Sequence, residues 1–273
     1  MVTLSRPSLA SALVGVALSL MLARAPVAAQ PPAASATAPV LLLFAHPDDE
    51  ITVAPLAASL TRRGIPVVLA IATAGENGAP ADGSIKAGDQ LAAVRRAEAQ
   101  CAAKALGMTA PTFLGFVDGS LGEAVRPPAA RLVALANAVR MLLAEMQPRA
   151  VVTWGPDGGY GHPDHRLISA VASEVLLGSA AMPPLFYVGL PADALAAHPP
   201  RIMPWAGTDR ALLTVAIPFT AGDAAASRRA AQCHRSQFAN DQIVDALLAD
   251  LAPVLDGKVH LRPARSGRST SFE

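Results

Sequence analysis

The chain has 273 residues, 22 of them basic and 21 acidic, for a net charge of +1 with histidine neutral. That balance offers no electrostatic footprint for nucleic acid or an anionic membrane, and aromatics at 4% offer no stacking platform for bases. Hydrophobic residues at 52% supply core enough for one large domain.

Taken from the start, Arg6, the uncharged apolar stretch Leu9 to Leu22 and the small residues Val27-Ala28-Ala29 read as a signal peptide over residues 1–29, cleaved after Ala29. The protein is therefore expected to be exported, periplasmic or secreted. An uncleaved anchor is the competing reading, but the run falls short of the roughly 20 residues that a spanning helix needs. No second apolar run of that kind follows, so no membrane span is expected after cleavage. Residues 30–39, rich in Ala and Pro, read as a flexible leader, residues 40–265 as a single folded domain, and residues 266–273 as a disordered tail.

Within the domain, Val40 to Ala45 is a continuous apolar run of the kind that forms a strand covered on both faces. Glu50 to Arg63, closed by Gly64, has helical spacing, with Pro55 placed to kink or delay its start. Val67 to Ala72 is the next strand, and the glycine-rich Thr73 to Gly88 a long loop. Asp89 to Leu106 is an amphipathic helix, Thr112 to Phe116 a strand, Val117 to Pro128 a loop, Ala129 to Met146 a helix and Ala150 to Thr153 a strand. A further helix follows His165, Leu185 to Leu190 and Leu212 to Ile217 are strands, and Arg228 to Leu251 is mainly helical. Such alternation predicts an α/β, Rossmann-like fold: a mostly parallel sheet with helices on both faces, joined by right-handed crossovers. In that architecture ligands bind beyond the carboxyl ends of the strands. Cys101 and Cys233 are compatible with one disulfide in an oxidising compartment, and equally with a buried free thiol at Cys101, which shares a helical face with Leu91, Val94 and Ala105.

Two strand-end corners carry the chemistry. Phe44-Ala45-His46-Pro47-Asp48-Asp49-Glu50 leaves the first strand, and Tyr160-Gly161-His162-Pro163-Asp164-His165 follows the Ala150 strand. Proline is tolerated at a first helical position, so each motif histidine is expected near a helix N-cap. His46 and Asp49, three apart, can point into one volume, and His165 from the other corner would complete two imidazoles and a carboxylate with an open position for water. Zn²⁺ suits that set because it acidifies water and polarises a carbonyl together, while Fe²⁺ is compatible with the same ligands. Asp48 is left over as a general base, and His162 as a donor to a developing oxyanion. Acids in a first helical turn are also stabilised by the macrodipole, by about 0.3–1 kcal/mol each, so capping alone is the competing account. The pairing of two His-Pro-Asp corners weighs against it.

At these residues the chain resembles the LmbE-like, or PIG-L, family of zinc-dependent N-deacetylases. The resemblance rests on Ala45 to Glu50, Thr73-Ala74-Gly75-Glu76-Asn77-Gly78, Arg95-Arg96-Ala97-Glu98 and Tyr160 to His165, with a weaker echo in His234-Arg235-Ser236-Gln237. It implies a Rossmann-like fold, zinc bound by His46, Asp49 and His165, Asp48 as base and His162 at the oxyanion. By position it also implies that Glu76, Arg95, Asp118 and Tyr160 touch the substrate or shape its pocket, with Asp164 orienting His162 or capping its helix. Arg95 pairing with Glu98 on a solvated helix face and Tyr160 packing on its loop are the plainer alternatives. The family's usual substrates are N-acetylglucosamine conjugates. An export signal departs from the cytosolic members and favours an N-acyl amino sugar, glycan fragment or glycolipid met outside the cytoplasm. His198 and His260 read as structural or exposed, His234 as a core or pocket residue, and Glu50 has no assigned part.

Two other classes stay open. His46-Pro47-Asp48 with a distant histidine also fits the triad of non-haem Fe(II) oxygenases, which normally sits on a jelly roll. A non-catalytic exported protein binding a sugar or a metal would use the same cleft, but has no need of the spare Asp48.

Overall fold

The computed structural model describes residues 38–81, 83–122, 130–265 and Phe272. The expected signal peptide and most of the leader lie outside these, as does the tail apart from Phe272. That residue is buried and packs on Phe186 at 5.0 Å between ring centroids. Among the described residues no helix is long and apolar enough to cross a membrane.

Five apolar residues form β1 (Val40–Phe44), wholly buried because the strand is covered on both faces. A 3₁₀ turn over Asp49–Val53 then precedes α1 (Ala54–Arg62), so the helix expected from Glu50 starts at Ala54, with Pro55 in its first turn where a missing N–H does no harm. Next come β2 (Val67–Thr73), α2 (Asp89–Ala105), β3 (Thr112–Phe116), α3 (Ala130–Met146) and β4 (Ala150–Thr153). The second corner contributes the short α4 (Gly158–Gly161) and the long α5 (Pro163–Leu177). Beyond β5 (Leu185–Val188) the chain leaves the sheet through β6 (Leu190–Pro191), α6 (Ala192–Ala197) and β7 (Gly207–Thr208). It returns in β8 (Val215–Pro218), α7 (Ala221–Cys233), α8 (Asp241–Leu255) and β9 (Lys258–Pro263).

The main sheet has the order β3-β2-β1-β4-β5-β9-β8, parallel from β3 to β5, with β9 antiparallel to both of its neighbours. From β1 the chain steps outward through β2 to β3, then crosses back to β4 and steps the other way. Right-handed crossovers therefore put α1 and α2 on one face and α3 and α5 on the other. The reversal lies between β1 and β4, whose carboxyl ends carry the two corners. No jelly roll is present among the described residues, which removes the scaffold of the oxygenase reading.

Three details go beyond or differ from expectation. The region Arg228 to Leu251 is mainly helical as expected but divided in two, because α7 ends at Cys233 and Asn240 caps α8 by accepting Ile243 N–H at 3.1 Å. The strand placed at Leu212 starts at Val215, after a 3₁₀ turn over Arg210–Leu212. Strand β9, which holds His260 buried in the sheet, was not anticipated, although Lys258, His260 and Arg262 alternate there with Val259 and Leu261. Cys101 and Cys233 form a disulfide with Cα atoms 5.7 Å apart, and Cys101 lies on the exposed side of α2, off the apolar face. A second clamp joins α1 to α7, where Arg62 donates to both oxygens of Asp223 at 2.9 and 3.0 Å.

Candidate active site

The two corners meet. His46 Nδ1 and His165 Nε2 stand 3.1 Å apart, and Asp49 Oδ1 lies 3.0 Å from His165 Nε2 and 3.9 Å from His46 Nδ1. Ligands 2.0–2.2 Å from a tetrahedral ion stand about 3.4 Å from one another, so these separations are of the right size. All three side chains are nearly or wholly buried.

What makes these atoms a binding face is where the others are committed. Asp49 Oδ2 accepts three N–H groups, from Ala45, His46 and the indole of Trp154, each at 3.0 Å, which leaves Oδ1 free. His165 Nδ1 lies 3.0 Å from the Gly158 carbonyl oxygen and must carry the proton to donate to it, leaving a lone pair on Nε2. His46 Nε2 faces Asp118 Oδ1 at 3.1 Å and Asp164 Oδ2 at 3.4 Å, so a proton there leaves the Nδ1 lone pair. Three acceptors then converge with no donor between them, an arrangement that calls for a cation. Carboxylates behind ligating imidazoles also fix the tautomer and raise ligand basicity. The same surroundings already favour positive charge: burial lowers the His46 pKa, but Asp118, Asp164 and Asp49 raise it well above the usual value. Burial raises Asp49, yet His165 and His46 hold it well below the ordinary carboxylate range. Two further sets share this cluster within 4.8 Å, His46-His162-His165 and His46-Asp118-Asp164. Neither has three free acceptor atoms once these hydrogen bonds are assigned, because His46 Nε2 serves the acids and His162 Nδ1 serves a backbone N–H.

The first corner departs from the expected N-cap. Asp48 has φ 97°, a left-handed conformation unusual for a residue with a side chain, and its N–H is taken by Glu50 Oε2 at 3.0 Å. Arg95, 4% exposed at its side chain, reaches from α2 to donate to Asp48 Oδ2 at 3.1 Å, Pro47 O at 2.6 Å and Gly75 O at 3.1 Å. A Cβ on Gly75 would lie 2.0 Å from the Arg95 guanidinium, so only glycine leaves that path open. Arg95 is thus not on a solvated face, and Glu98 bonds instead to Ser236 N and Oγ, each at 2.7 Å. Burial pushes the Asp48 carboxyl up to about 6 against the pull of Arg95, while 23% of its side chain stays open to the cleft.

The second corner follows the N-cap expectation. His162 caps α5, its Nδ1 accepting Asp164 N–H at 3.2 Å, with Pro163 next. Its proton is thereby left on Nε2, free to donate. Burial, the largest cause, and the neighbouring His46 lower its pKa. The carboxylate of Asp164 turns not to His162 but to His46 and to the N–H groups of Gly119 (2.9 Å) and Gly122 (3.3 Å). Glu76 Oε1 accepts Asp118 N–H at 2.9 Å and Asn77 N–H donates to Asp118 Oδ2 at 3.1 Å, so the loops after β2 and β3 are tied at the rim. Tyr160 stands edge-on to His165 at 5.1 Å and to Trp205 at 5.6 Å; burial first, then Asp49 and Asp48, raise its hydroxyl pKa.

Sequence reading missed Trp154, whose ring stacks on His165 at 4.6 Å with 6° between planes while its N–H holds Asp49. Its place just after β4, on the edge where the corners lie, was the available signal. Gly159 (φ 74°) permits the stack, since a Cβ there would come 2.6 Å from the Trp154 ring. Trp205, 6.2 Å from Trp154, and the Glu50 to His234 contact had no sequence signal of comparable strength.

Comparison with known proteins agrees with this geometry. The chain is 36% identical over 183 residues to a 1D-myo-inositol 2-acetamido-2-deoxy-alpha-D-glucopyranoside deacetylase of Rhodococcus erythropolis, across 61% of this chain and 57% of that protein. It thus spans a little over half the length of that relative. Among solved structures, N,N'-diacetylchitobiose deacetylase from Pyrococcus horikoshii superposes with a TM-score of 0.59 at 19% identity, covering 83% of each chain. A 4-carboxy-2-hydroxymuconate hydratase from Pseudomonas putida gives 0.55 at 16%, over 86% of this chain and all of that one (100%). These two share the fold. Residues 41–176, which contain both corners, match the family described as PIG-L: GlcNAc-PI de-N-acetylase, and the chain carries a domain of that PIG-L (LmbE-like) family.

Proposed function

We propose that this protein is a metal-dependent hydrolase that removes an N-acyl group, acetyl in the first instance, from an amino sugar. One observation carries the reading: three uncommitted ligand atoms converge beside a cleft-facing carboxylate and an imidazole with a free N–H. His46 Nδ1, Asp49 Oδ1 and His165 Nε2 would hold the ion, with Zn²⁺ favoured and Fe²⁺ compatible. A divalent ion held there supplies Lewis acidity and brings the pKa of water to about 7.

The chain's own residues do the rest. Asp48 takes a proton from the attacking water and returns it to the leaving amine, and Arg95 keeps the carboxylate turned to the cleft. His162 Nε2–H donates to the carbonyl oxygen as negative charge gathers on it. Asp164 and Asp118 stand behind His46, while Glu76 and Tyr160 form the pocket wall toward the sugar.

The amino-sugar assignment leans on the activity for which the Rhodococcus relative is named. Export leans on the pattern of residues 1–29 and on a disulfide that suits an oxidising compartment. The test is release of free amine from a panel of N-acetyl sugars, glycan fragments and glycolipids, with chelator-treated protein and His165→Ala beside it. We expect amine release that chelation abolishes, Zn²⁺ restores and His165→Ala lacks. Water added to a carbon–carbon double bond with no amine released, the type of reaction for which the hydratase of this fold is named, would overturn the reading.

A further inference from the structure

Glu50 and His234 take no part in the chemistry above, yet both are wholly buried beside it. They meet across 184 residues of sequence, His234 Nε2 donating to Glu50 Oε1 over 2.6 Å. Among the described residues His234 Nδ1 has no hydrogen-bond partner, so the ring's polar contact runs through Glu50. A carboxylate in such a place needs a partner, since an unpaired buried charge is strongly destabilising. Glu50 uses its other oxygen on one group, the backbone N–H of Asp48. That residue holds φ 97°, a sparsely populated conformation for a residue with a side chain, which persists only where the surroundings impose it.

We propose that Glu50 and His234 form a positioning pair that holds the Asp48 backbone in its left-handed turn and so aims the Asp48 carboxylate into the cleft. The proposal rests on Asp48 being the general base. A second holder is Arg95, which donates to Pro47 O and Asp48 Oδ2. The two holders are themselves joined: α2, which bears Arg95, is bonded through Cys101 to Cys233, next in sequence to His234. Glu98 on the same helix takes both Ser236 N–H and Oγ–H, two residues further on. His234 thus cannot drift from Arg95 without breaking the disulfide or these hydrogen bonds.

Glu50→Asp keeps the charge and the pairing with His234 but is one methylene too short to reach both partners. His234→Phe fills the volume and removes the counter-charge, whereas Glu50→Gln and His234→Gln retain hydrogen-bonding groups at both positions. Hydrogen exchange read by mass spectrometry should show protection lost at least tenfold in peptides spanning residues 44–54 of Glu50→Asp and His234→Phe, with exchange elsewhere unchanged. With the N-acetyl sugar that the wild type turns over fastest, kcat should fall at least tenfold. KM and Zn²⁺ affinity by chelator competition should stay within twofold, and the two Gln variants should recover most of the loss. Unchanged exchange at residues 44–54, or an unchanged kcat in folded Glu50→Asp, would overturn the pair. If His234→Phe does not fold, Glu50→Asp decides alone, and if neither folds, failure of the Gln variants to restore kcat overturns the proposal. Asp48→Ala separates the two levels: if it stays active the base assignment fails, and if it is dead while Glu50→Asp is not, only the positioning role fails.

Discussion

The two corners start from the same tripeptide and use it in opposite ways. At the first, His46 turns a nitrogen inward to the ligand cluster and the proline-linked acid, Asp48, faces the cleft. At the second, His162 faces the cleft and Asp164 turns inward, fully buried, to stand behind His46. The difference is one of backbone. His162-Pro163-Asp164 opens a regular α-helix, where the capping histidine points outward and the acid of the first turn points back. The first corner instead enters a 3₁₀ turn through a left-handed Asp48, which rotates the same residue types by a different amount and adds Asp49 as a ligand. Helix geometry sets the backbone of the second corner, and distant groups only receive its Asp164 carboxylate. The first is imposed by distant residues: Arg95, Trp154 and the Glu50-His234 pair.

The sharpest way to break this comparison is to make one change at both corners. Asp48→Asn should lower kcat by about 10²–10⁴-fold with the metal retained, measured by amine release and metal content. Asp164→Asn should instead weaken Zn²⁺ affinity by about 10–100-fold, as loss of a group behind a ligand does. If the two variants behave alike, the corners are not divided as described. The imposed character of the first corner predicts dependence on the disulfide. Cys101→Ser should cost about 2–4 kcal/mol in denaturant unfolding, since the bridge closes a long loop, with a separation of 132 residues. Trp154→Phe keeps the stack on His165 but removes the N–H to Asp49, and should weaken Zn²⁺ about tenfold with little change in the fold. His165, held by Gly158 O, should not move, so loss of folding in this variant would contradict the local character of the second corner.

The smallest effect lies outside both corners. Arg62, first, and the Thr220 hydroxyl and N–H hold the Asp223 carboxyl down at about 2 despite its burial. A depressed carboxyl contributes stability that is present above its unfolded pKa of about 3.9 and lost as pH falls through the folded value, so the loss falls between about pH 4 and 2. Because Arg62 is half exposed and screened, we expect only a small contribution from the pair. Arg62→Met should flatten acid unfolding over that window and leave kcat at pH 7 untouched, and a change in kcat would show that α1 transmits strain to the first corner.

Much of the site was legible because its donors sit at strand ends in short motifs. His46, Asp48, Asp49, His162 and His165 could be named from residue type and spacing, and they do meet. Strand β9 was not, because its Lys, His and Arg dilute the apolar signal and its place between β5 and β8 depends on pairing over a long range. The break after Cys233 was hidden for a related reason: helical spacing runs on either side of it, and His234 and Ser236 are drawn inward by acids on other elements.

Sequence by itself determined the α/β alternation, the edge of the sheet that carries the chemistry, and the identity of the ligand candidates, since all three follow from local patterns of hydrophobicity and turn residues. Only the tertiary structure decided which way each acid points. Asp48 and Asp164 share a proline and a helix-start setting, and no local rule separates them. What separates them are partners brought from elsewhere in the chain: the buried Arg95 and the Glu50-His234 pair act at Asp48, while His46 and the N–H groups of Gly119 and Gly122 draw Asp164 inward.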